Sequence, residues 1–483
     1  MSHPPSNLKI LCNLCARRLQ TSTSQSVESA FRNYPLKVIT MSPAPNTSLS
    51  RRRFIKTSAA FAGVTILPKS VFGANERLNY AIVGVGGFGG SAIDACARMG
   101  NIVAFCDVDE VRAAPAYGKY PSVPTFRDFR VMMDKLGKSI DAVAISTPDH
   151  SHHYITKYCM NAGKHVYTQK PLCNYISQVR ELVDLAESTK VVTQMGGQGH
   201  STHGTHIIKA CYEAGLFGNV TDVYGWTNRP IWPQGMQAWP AEEPVPGTLA
   251  WDLWHGPVVM NPYSDSIAPF KWRGYRSYGT GALGDMAAHI MDASNFALGY
   301  TWPEKIEVVM LDGISEIAYP NQTQVIFHFP KVGNRSAVKF HWYDGRANPA
   351  PRPVDLEDGR SMGEKIGGQY WVGSQATALA GTYCNGPRFI PEVKRREMLP
   401  DAPAVERPSE HFQNWENAIK GIEEARSNFG YAGPFTEIVL LGVIAQRVGK
   451  TLLLDPQNKK ILNSPEAEAL MHAPAPRHEW DLS

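Results

Sequence analysis

The chain of 483 residues lacks a surplus of charge of either sign. Its 48 Lys and Arg residues are balanced by 44 Asp and Glu residues, which gives a formal net charge of +4 at pH 7. Domains that bind nucleic acids carry a concentrated basic surface, whereas the short basic run at residues 394–396 is typical of a solvated surface. The charge balance therefore argues against a nucleic acid as a partner.

Cysteine motifs are also scarce, since only Cys12 and Cys15 of the eight cysteines form a Cys-x-x-Cys pair. The other six stand singly, several within apolar runs, and this pattern predicts buried free thiols rather than disulfides or zinc ligands. His200, His203 and His206 recur every third residue, a spacing that drifts around a helix. We expect polar or substrate contacts there and no bound metal.

Long hydrophobic runs are few, and the apolar stretch Thr57–Leu67 is too short to span a bilayer. It follows Ser50–Lys56, whose sequence SRRRFIK resembles a twin-arginine export signal. We expect residues 41–74 to be this signal, residues 1–40 to be an over-extended start, and the mature protein to be periplasmic or in an equivalent compartment. The alternative is an uncleaved N-terminal anchor. No span is expected in the mature protein.

The mature chain begins with a predicted strand that is followed at once by Gly84, Gly86 and Gly89 in a G-x-G-x-x-G arrangement, and then by helical periodicity. This strand–turn–helix context is what a dinucleotide-binding fingerprint requires. A second strand ends at Asp107, 21 residues after Gly86. A carboxylate there accepts hydrogen bonds from ribose hydroxyls and repels a 2′-phosphate, so we expect NAD rather than NADP.

Further strands at residues 140–146 and 164–168 flank a helix at 153–162, and this alternation predicts an α/β domain with a doubly wound parallel Rossmann sheet over residues 75–198. Ligands of such sheets lie beyond the carboxyl ends of the strands. The residues predicted to bind the cofactor are Gly84, Gly86, Phe88, Gly89, Asp107, Thr147, Pro148, His150, His152 and Lys170.

The segment from Tyr224 to Tyr278 holds six of the eleven tryptophans, interrupted by prolines and glycines, and it predicts an ordered but irregular excursion. Indole faces stack on sugar rings, and Asn228 and Arg229 offer polar groups, so this segment is a candidate carbohydrate wall or subunit contact. Alternating polarity further along predicts antiparallel strands. We expect residues 199–483 to form an α+β domain with a largely antiparallel open sheet.

Asp285, His289 and Asp292 recur at i, i+4 and i+7, a spacing that places an imidazole between two carboxylates on one helix face. Histidine is suited to accept a hydroxyl proton near neutral pH, and a carboxylate one turn away can orient it. From this stretch alone, an ion pair without chemistry is the alternative.

The glycine fingerprint, TPDHSH at 147–152, AGKHVYTQKP at 162–171 and the D-x-x-x-H-x-x-D pattern together resemble the Gfo/Idh/MocA oxidoreductase family, which includes inositol dehydrogenases and glucose–fructose oxidoreductase. The resemblance implies a catalytic group of Lys170, Asp285 and His289, with His289 as general base and Lys170 stabilising alkoxide charge. Asp285 would bind a substrate hydroxyl or tune the histidine. The resemblance also implies a homo-oligomer formed through the second sheet. Gln169 replaces the glutamate of the family's Glu-Lys-Pro.

The sequence thus predicts an exported NAD-dependent oxidoreductase acting on a carbohydrate or cyclic polyol by hydride transfer at a carbinol carbon. Because we expect little nicotinamide outside the cytoplasm, we expect the cofactor to be tightly bound. A redox-neutral, NAD-dependent glycoside-cleaving enzyme or epimerase with a transient ketone stays open, as does a non-catalytic protein that binds sugar and NAD. The predicted substrate-binding residues are Lys170, His200, Asn228, Arg229, Asp285 and His289.

Overall fold

The computed structural model describes residues 77–481, which belong to one compact unit, Ser70–Ser483. The expected over-extended start, the twin-arginine signal, and the Cys12 and Cys15 pair lie outside the described residues. The remaining six cysteines are all buried and free, as the sequence predicts.

Six strands form the first sheet, and every pair of neighbours in it is parallel. The strands are β1 (Asn79–Val83), β2 (Asn101–Cys106), β3 (Thr125–Phe126), β4 (Ala142–Ile145), β5 (His165–Thr168) and β6 (Thr193–Met195). Their order in the sheet is β3-β2-β1-β4-β5-β6. The helices that connect them are α1 (Gly89–Met99), α2 (Glu110–Lys119), α3 (Phe129–Leu136), α4 (His152–Asn161) and α5 (Ile176–Thr189). The predicted doubly wound α/β arrangement is confirmed.

The strands of this sheet are apolar because helices cover both faces. All four residues of β4, for example, are buried. Short polar side chains fix where the helices begin: Asp109 accepts hydrogen bonds from the first-turn amides of α2, and Asp128 does the same for α3. The sheet and its caps therefore place the carboxyl ends of β1, β2, β4 and β5 along one edge.

Nine strands form the second sheet, which is antiparallel except at one pair. The strands are β7 (Val220–Thr227), β8 (Lys305–Asp312), β9 (Gln322–Phe329), β10 (Val338–Asp344), β11 (Gly367–Gly373), β12 (Thr377–Gly381), β13 (Arg388–Ile390), β14 (Leu452–Asp455) and β15 (Lys460–Ile461). Their order is β13-β12-β11-β7-β10-β9-β8-β14-β15. Among the described strands of this second sheet, only β7 and β10 pair in parallel. The predicted largely antiparallel open sheet is confirmed.

The helices of the second half pack between and around the two sheets. They are α6 (His203–Glu213), α7 (Trp251–His255), α8 (Gly281–Ile290), α9 (Asp292–Leu298), α10 (Glu392–Met398), α11 (His411–Ile419), α12 (Phe429–Val448) and α13 (Pro465–Ala469). By length and composition α12 could cross a membrane, but 83% of its apolar window is buried inside the protein. Its side chains join those of α8 and both sheets in one hydrophobic core, so α12 is here a core helix.

The tryptophan-rich segment between β7 and α8 is irregular apart from the short helix α7 and one 3-10 turn at Lys271–Gly274, as its composition predicts. Its aromatic side chains pack on one another in a separate cluster. Trp251 stacks on Trp254 with ring centroids 4.6 Å apart, and Trp239 stacks on Tyr275 at 5.1 Å. The segment is therefore held rigid by aromatic packing rather than by backbone ladders.

Candidate active site

A cavity of about 340 Å³ lies at the carboxyl edge of the first sheet. Its floor is the glycine loop after β1 together with the ends of β2, β4 and β5. Its roof comes from the tryptophan-rich segment, with side chains of Trp232, Trp254, Phe270 and Trp272. Of the residues predicted to bind the cofactor, seven line it: Gly84, Gly86, Phe88, Asp107, Thr147, Pro148 and Lys170.

The glycine loop has the geometry of a cradle for a phosphate-bearing ligand. Gly84 has φ +80°, and a Cβ there would lie 2.7 Å from the carbonyl oxygen of Ser146. A Cβ at Gly89 would overlap the carbonyl oxygen of Gly84, so helix α1 packs directly on the loop. Gly89 does not line the cavity and has this packing function. The backbone surface and the N-terminus of α1 fit the pyrophosphate of a dinucleotide.

Asp107 lines the cavity and also fixes the loop. One carboxylate oxygen accepts hydrogen bonds from the amides of Val85 at 2.8 Å and Gly86 at 3.1 Å, and the other accepts from the amide of Asp109 at 3.0 Å. Burial raises the pKa of Asp107, and these three bonds oppose the rise. The predicted ribose contact stays a prediction, because backbone amides already bind both oxygens.

His150 and His152 do not line the cavity; their rings are buried against backbone carbonyls. The Nε2 atom of His150 lies 2.8 Å from the Trp254 oxygen, and burial lowers its pKa to about 4. His152 lies between the oxygens of Pro171, 2.8 Å from Nδ1, and Thr147, 2.9 Å from Nε2. His152 thus joins the loop after β4 to the loop that carries Lys170. These two hydrogen bonds position Lys170 rather than contact a ligand.

The ammonium group of Lys170 forms an ion pair with Asp285. Its Nζ atom contacts the carboxylate of Asp285 and donates to the backbone oxygen of Asp285 at 3.2 Å. The carboxylate also lies 3.4 Å from Nε of Arg273. Lys170 belongs to the first sheet and Asp285 to α8, so this contact joins residues that are 115 positions apart.

Arg273 extends the pair into a larger charge cluster, which we define as Asp149, Lys170, Arg273 and Asp285. A terminal nitrogen of Arg273 lies 2.8 and 3.0 Å from the two oxygens of Asp149. The guanidinium also lies 4.3 Å from the ring centroid of Trp272, on its face. Two cations and two carboxylates balance one another, which is how buried charges are tolerated.

The charge cluster influences the protonation states of Asp285 and His289, both of which lie on α8. Burial alone would raise the pKa of Asp285, but the charges of Lys170 and Arg273 outweigh it and hold that pKa below its usual range. Burial, reinforced by the charge of Lys170, lowers the pKa of His289 well below its ordinary value of 6.5. His289 is therefore a neutral imidazole at neutral pH, which is the form that accepts a proton.

His289 lies on α8 one turn after Asp285 and is open to a further partner. Its Nδ1 atom is buried and has no hydrogen-bond partner among residues 77–481. The ring of Tyr383, from the turn after β12, meets the imidazole edge-on with centroids 4.8 Å apart. Burial raises the pKa of Tyr383. An unpartnered ring nitrogen beside a cluster of fixed charge is typical of a base that waits for a substrate proton.

Asp292 does not flank His289 as the i, i+4, i+7 spacing predicts. Helix α8 ends at Ile290, and Asp292 begins α9. Its carboxylate accepts hydrogen bonds from Nδ1 of His200 at 3.0 Å and from the Tyr431 hydroxyl at 2.7 Å. The helix break redirects the second carboxylate, which now anchors His200.

Of the six predicted substrate residues, only Lys170 lines the described cavity; the other five are Asp285, His289, His200, Asn228 and Arg229. His200 is buried with Asp292, and Asn228 and Arg229 follow β7, where the guanidinium of Arg229 lies 3.4 Å from the Asn228 oxygen. Their contacts with substrate stay predictions. His203 and His206 bond to separate backbone oxygens, and no group of three or more His, Cys, Asp or Glu residues within 77–481 is arranged to hold a metal.

Sequence reasoning missed Asp149, Arg273 and Tyr383. Asp149 stands inside the TPDHSH motif, between Pro148 and His150, which are predicted to bind the cofactor. Arg273 follows Trp272 in the aromatic segment, where a cation beside an indole was an available signal. Tyr383 lies in a turn with no distinctive pattern, so only the fold brings it to His289.

Comparisons with known proteins agree with this architecture. The model of the Gfo/Idh/MocA oxidoreductase family's NAD-binding Rossmann fold matches residues 78–197, and the model of its C-terminal alpha/beta domain matches residues 206–318. The chain belongs to this family.

Curated relatives match over parts of their length. Levoglucosan dehydrogenase of Pseudarthrobacter phenanthrenivorans is 25% identical over 188 residues, which is 39% of this chain and 40% of the relative. A glycosyl hydrolase family 109 protein of Shewanella sp. strain ANA-3 is 28% identical over 174 residues, covering 30% of this chain and 38% of the relative. The chain thus spans about two fifths of each of these relatives.

Solved structures show the same fold over nearly their whole length. The WlbA dehydrogenase of Bordetella pertussis, in complex with NADH and UDP-GlcNAcA, has a TM-score of 0.56 at 16% identity, covering 79% of this chain and 99% of that one. Levoglucosan dehydrogenase in complex with NADH has a TM-score of 0.52 at 16% identity, covering 78% and 98%. The predicted NAD-binding fold is confirmed.

Proposed function

We propose that the protein is an NAD-dependent oxidoreductase that transfers hydride at a carbinol carbon of a carbohydrate or cyclic polyol. The observation that carries this proposal is the charge cluster, which lies against the dinucleotide cavity and is followed one helical turn later by the neutral base His289. Lys170 belongs to both features, because it lines the cavity and pairs with Asp285.

Each residue has a defined part in the reaction. Bound NAD would accept the hydride. His289 is neutral, and its Nδ1 atom has no partner in the described part of the chain, so it takes the hydroxyl proton of the substrate. Lys170 supplies a fixed positive charge to the oxygen as it becomes negative. Asp285 is held ionised by Lys170 and Arg273 and keeps the ammonium group oriented.

A carbohydrate or polyol is supported by the walls of the cavity and by the relatives. Trp232, Phe270 and Trp272 line the cavity together with Lys170 and Arg273. Such a mixture of flat apolar faces and fixed polar groups suits a ring with one apolar face and several hydroxyls. One partial relative is named for levoglucosan.

A redox-neutral reaction is the second candidate, and similarity to glycosyl hydrolase family 109 proteins favours it. In that reaction a transient ketone acidifies the neighbouring C–H, elimination or epimerisation follows, and the hydride returns to the substrate. His289 would then handle the proton twice, and no reduced cofactor would accumulate.

We propose export through the twin-arginine route on the strength of the SRRRFIK stretch before an 11-residue apolar run. We also propose a homo-oligomer formed through the second sheet. A row of aromatic side chains across three strands supports this, since Tyr224 stacks on both His341 and Tyr370 at 4.3 and 4.4 Å.

The test is to incubate the purified full chain with NAD and a panel of free sugars, cyclic polyols and glycosides. Absorbance at 340 nm follows reduced cofactor, and chromatography follows free sugar. Accumulation of NADH with a ketone product supports the dehydrogenase. Release of a free sugar from a glycoside without net NADH supports the redox-neutral reaction. Binding of NAD without turnover of any member of the panel would contradict both.

A further inference from the structure

One wall of the cavity contains Trp480. Only 4% of this side chain is exposed. Its ring lies 6.0 Å from that of Phe129, and the guanidinium of Arg130 covers it with its carbon 4.2 Å from the ring centroid. Trp480, which lies far along the chain from the glycine loop, is thus part of the cavity lining.

The segment that carries this tryptophan is bonded to the roof of the cavity. Arg477 donates from its amide to the Pro257 oxygen at 3.0 Å, from Nε to the Gly256 oxygen at 2.8 Å and from a terminal nitrogen to the Asp252 carboxylate at 2.6 Å. We call residues 477–480 the clasp, and residues 248–257, to which they bond, the strap.

The strap is in turn bonded to the first sheet next to Asp107. The amide of Ala250 donates to the Val108 oxygen at 2.9 Å, and the amide of Glu110 donates to the Thr248 oxygen at 3.1 Å. Leu249, Leu253 and Trp254 of the strap line the cavity, as do Gly256 and Pro257. Strap and clasp therefore close the side of the cavity that lies beyond the ends of β2 and β4.

This is the side on which the adenosine half of the dinucleotide belongs, because Asp107 marks the ribose end of the fingerprint and Lys170 marks the opposite end. The ring of Trp480 lies among cavity-lining groups there, together with Phe129 and Tyr154. An indole face suits stacking with a purine, and a covering guanidinium fixes the indole in place.

We propose that Trp480 is a binding residue for the adenosine half of NAD, and that the clasp retains the cofactor by bonding to the strap. Release of the cofactor then requires the clasp to separate from the strap, which exposes a buried indole. The separation also breaks four hydrogen bonds that Arg477 donates, the three given above and one from its other terminal nitrogen to the Asp252 backbone oxygen at 3.1 Å. The inference rests on NAD occupying the cavity and not on which carbohydrate is oxidised.

The test compares the full chain with Trp480→Ala, Trp480→Phe and Arg477→Gln. Each protein is purified without added nucleotide, and the NAD(H) released on denaturation is quantified per chain. Each is then loaded with NADH, and dissociation into excess NAD is followed by NADH fluorescence. The control is Glu479→Gln, which changes an exposed side chain next to the same indole. Thermal unfolding of every variant establishes that it is folded.

We expect Trp480→Ala and Arg477→Gln to release NADH at least about tenfold faster than the unchanged chain. Trp480→Phe should restore most of the retention, and Glu479→Gln should match the unchanged chain. Folded Ala and Gln variants that release NADH at the original rate would overturn the clasp and leave the proposed function standing. If Trp480→Ala does not fold, Arg477→Gln decides alone. An unchanged chain that does not bind NADH would overturn both proposals.

Discussion

The two ends of the cavity are built in different ways. At the glycine loop, the contacts are made by backbone and are local: Asp107 binds amides 21 and 22 positions away, and Gly89 packs on Gly84. At the charge cluster, side chains come from four separate segments, as when Arg273 reaches Asp149 across 124 positions.

The difference shows which property each end needs. A phosphate cradle needs close backbone approach, which glycine provides wherever the chain turns. A proton-transfer site needs charges with fixed positions in a region of little water, and such charges are stable only when each has a partner. Changes at one end should therefore alter cofactor affinity, whereas changes at the other should alter turnover.

The largest effect is expected at the base. His289→Ala should lower turnover by about 10²–10⁴-fold, because the proton acceptor is lost, while the affinity for NADH changes little. Steady-state kinetics and NADH titration measure the two quantities. His328→Ala is the control, since burial also lowers the pKa of His328, which lies in the second sheet and pairs with Glu307 at 2.8 Å. Equal turnover of both variants would remove His289 from the mechanism.

The second effect is expected at the loop. Gly89→Ala places a methyl group on the Gly84 oxygen, so the loop must shift and the affinity for NADH should fall by about 10- to 100-fold. Turnover at saturating cofactor should stay within about threefold. Gly90→Ala is the control next to it, because a Cβ there meets nothing within 4 Å. A loss of turnover at saturating NAD, with affinity intact, would contradict the division between the two ends.

The smallest of the three main effects is expected at Arg273 and includes a change in pH dependence. Arg273→Gln removes one of the cations that lower the pKa of His289, and turnover should fall by about tenfold because Lys170 remains. The base acts when neutral, so activity is lost as the pH falls through its pKa. That acidic limb should lie below pH 6.5 in the unchanged chain and move to higher pH in the variant.

The profile of kcat/KM against pH measures this shift. Arg276→Gln is the control from the same segment, because Arg276 bonds to the backbone oxygens of Ala318 and Arg447 rather than to the charge cluster. An unmoved limb in Arg273→Gln would show that Arg273 does not act on His289.

Sequence patterns predicted the local features well. The strand, turn and helix around Gly84 form as the fingerprint requires, and the aromatic excursion is irregular as its prolines and glycines predict. The pairing of Lys170 with Asp285 agrees with the family's motifs. The prediction that Asp292 shares a helix face with Asp285 and His289 was wrong. The i, i+4, i+7 periodicity assumes one continuous helix, and the chain begins a new helix at Asp292.

The sequence by itself determined the Rossmann fold and the glycine loop of the dinucleotide cradle, since each depends on residue types at short, fixed spacings. The roles of Lys170 and His289 were predicted from the resemblance to the family and stay predictions. Only the tertiary structure decided that Arg273 and Asp149 complete the charge cluster, that Tyr383 faces His289, and that Trp480 closes the cavity. The physical reason is that burial makes partners necessary, while the sequence does not reveal which distant side chain the packing of helices and sheets will bring near.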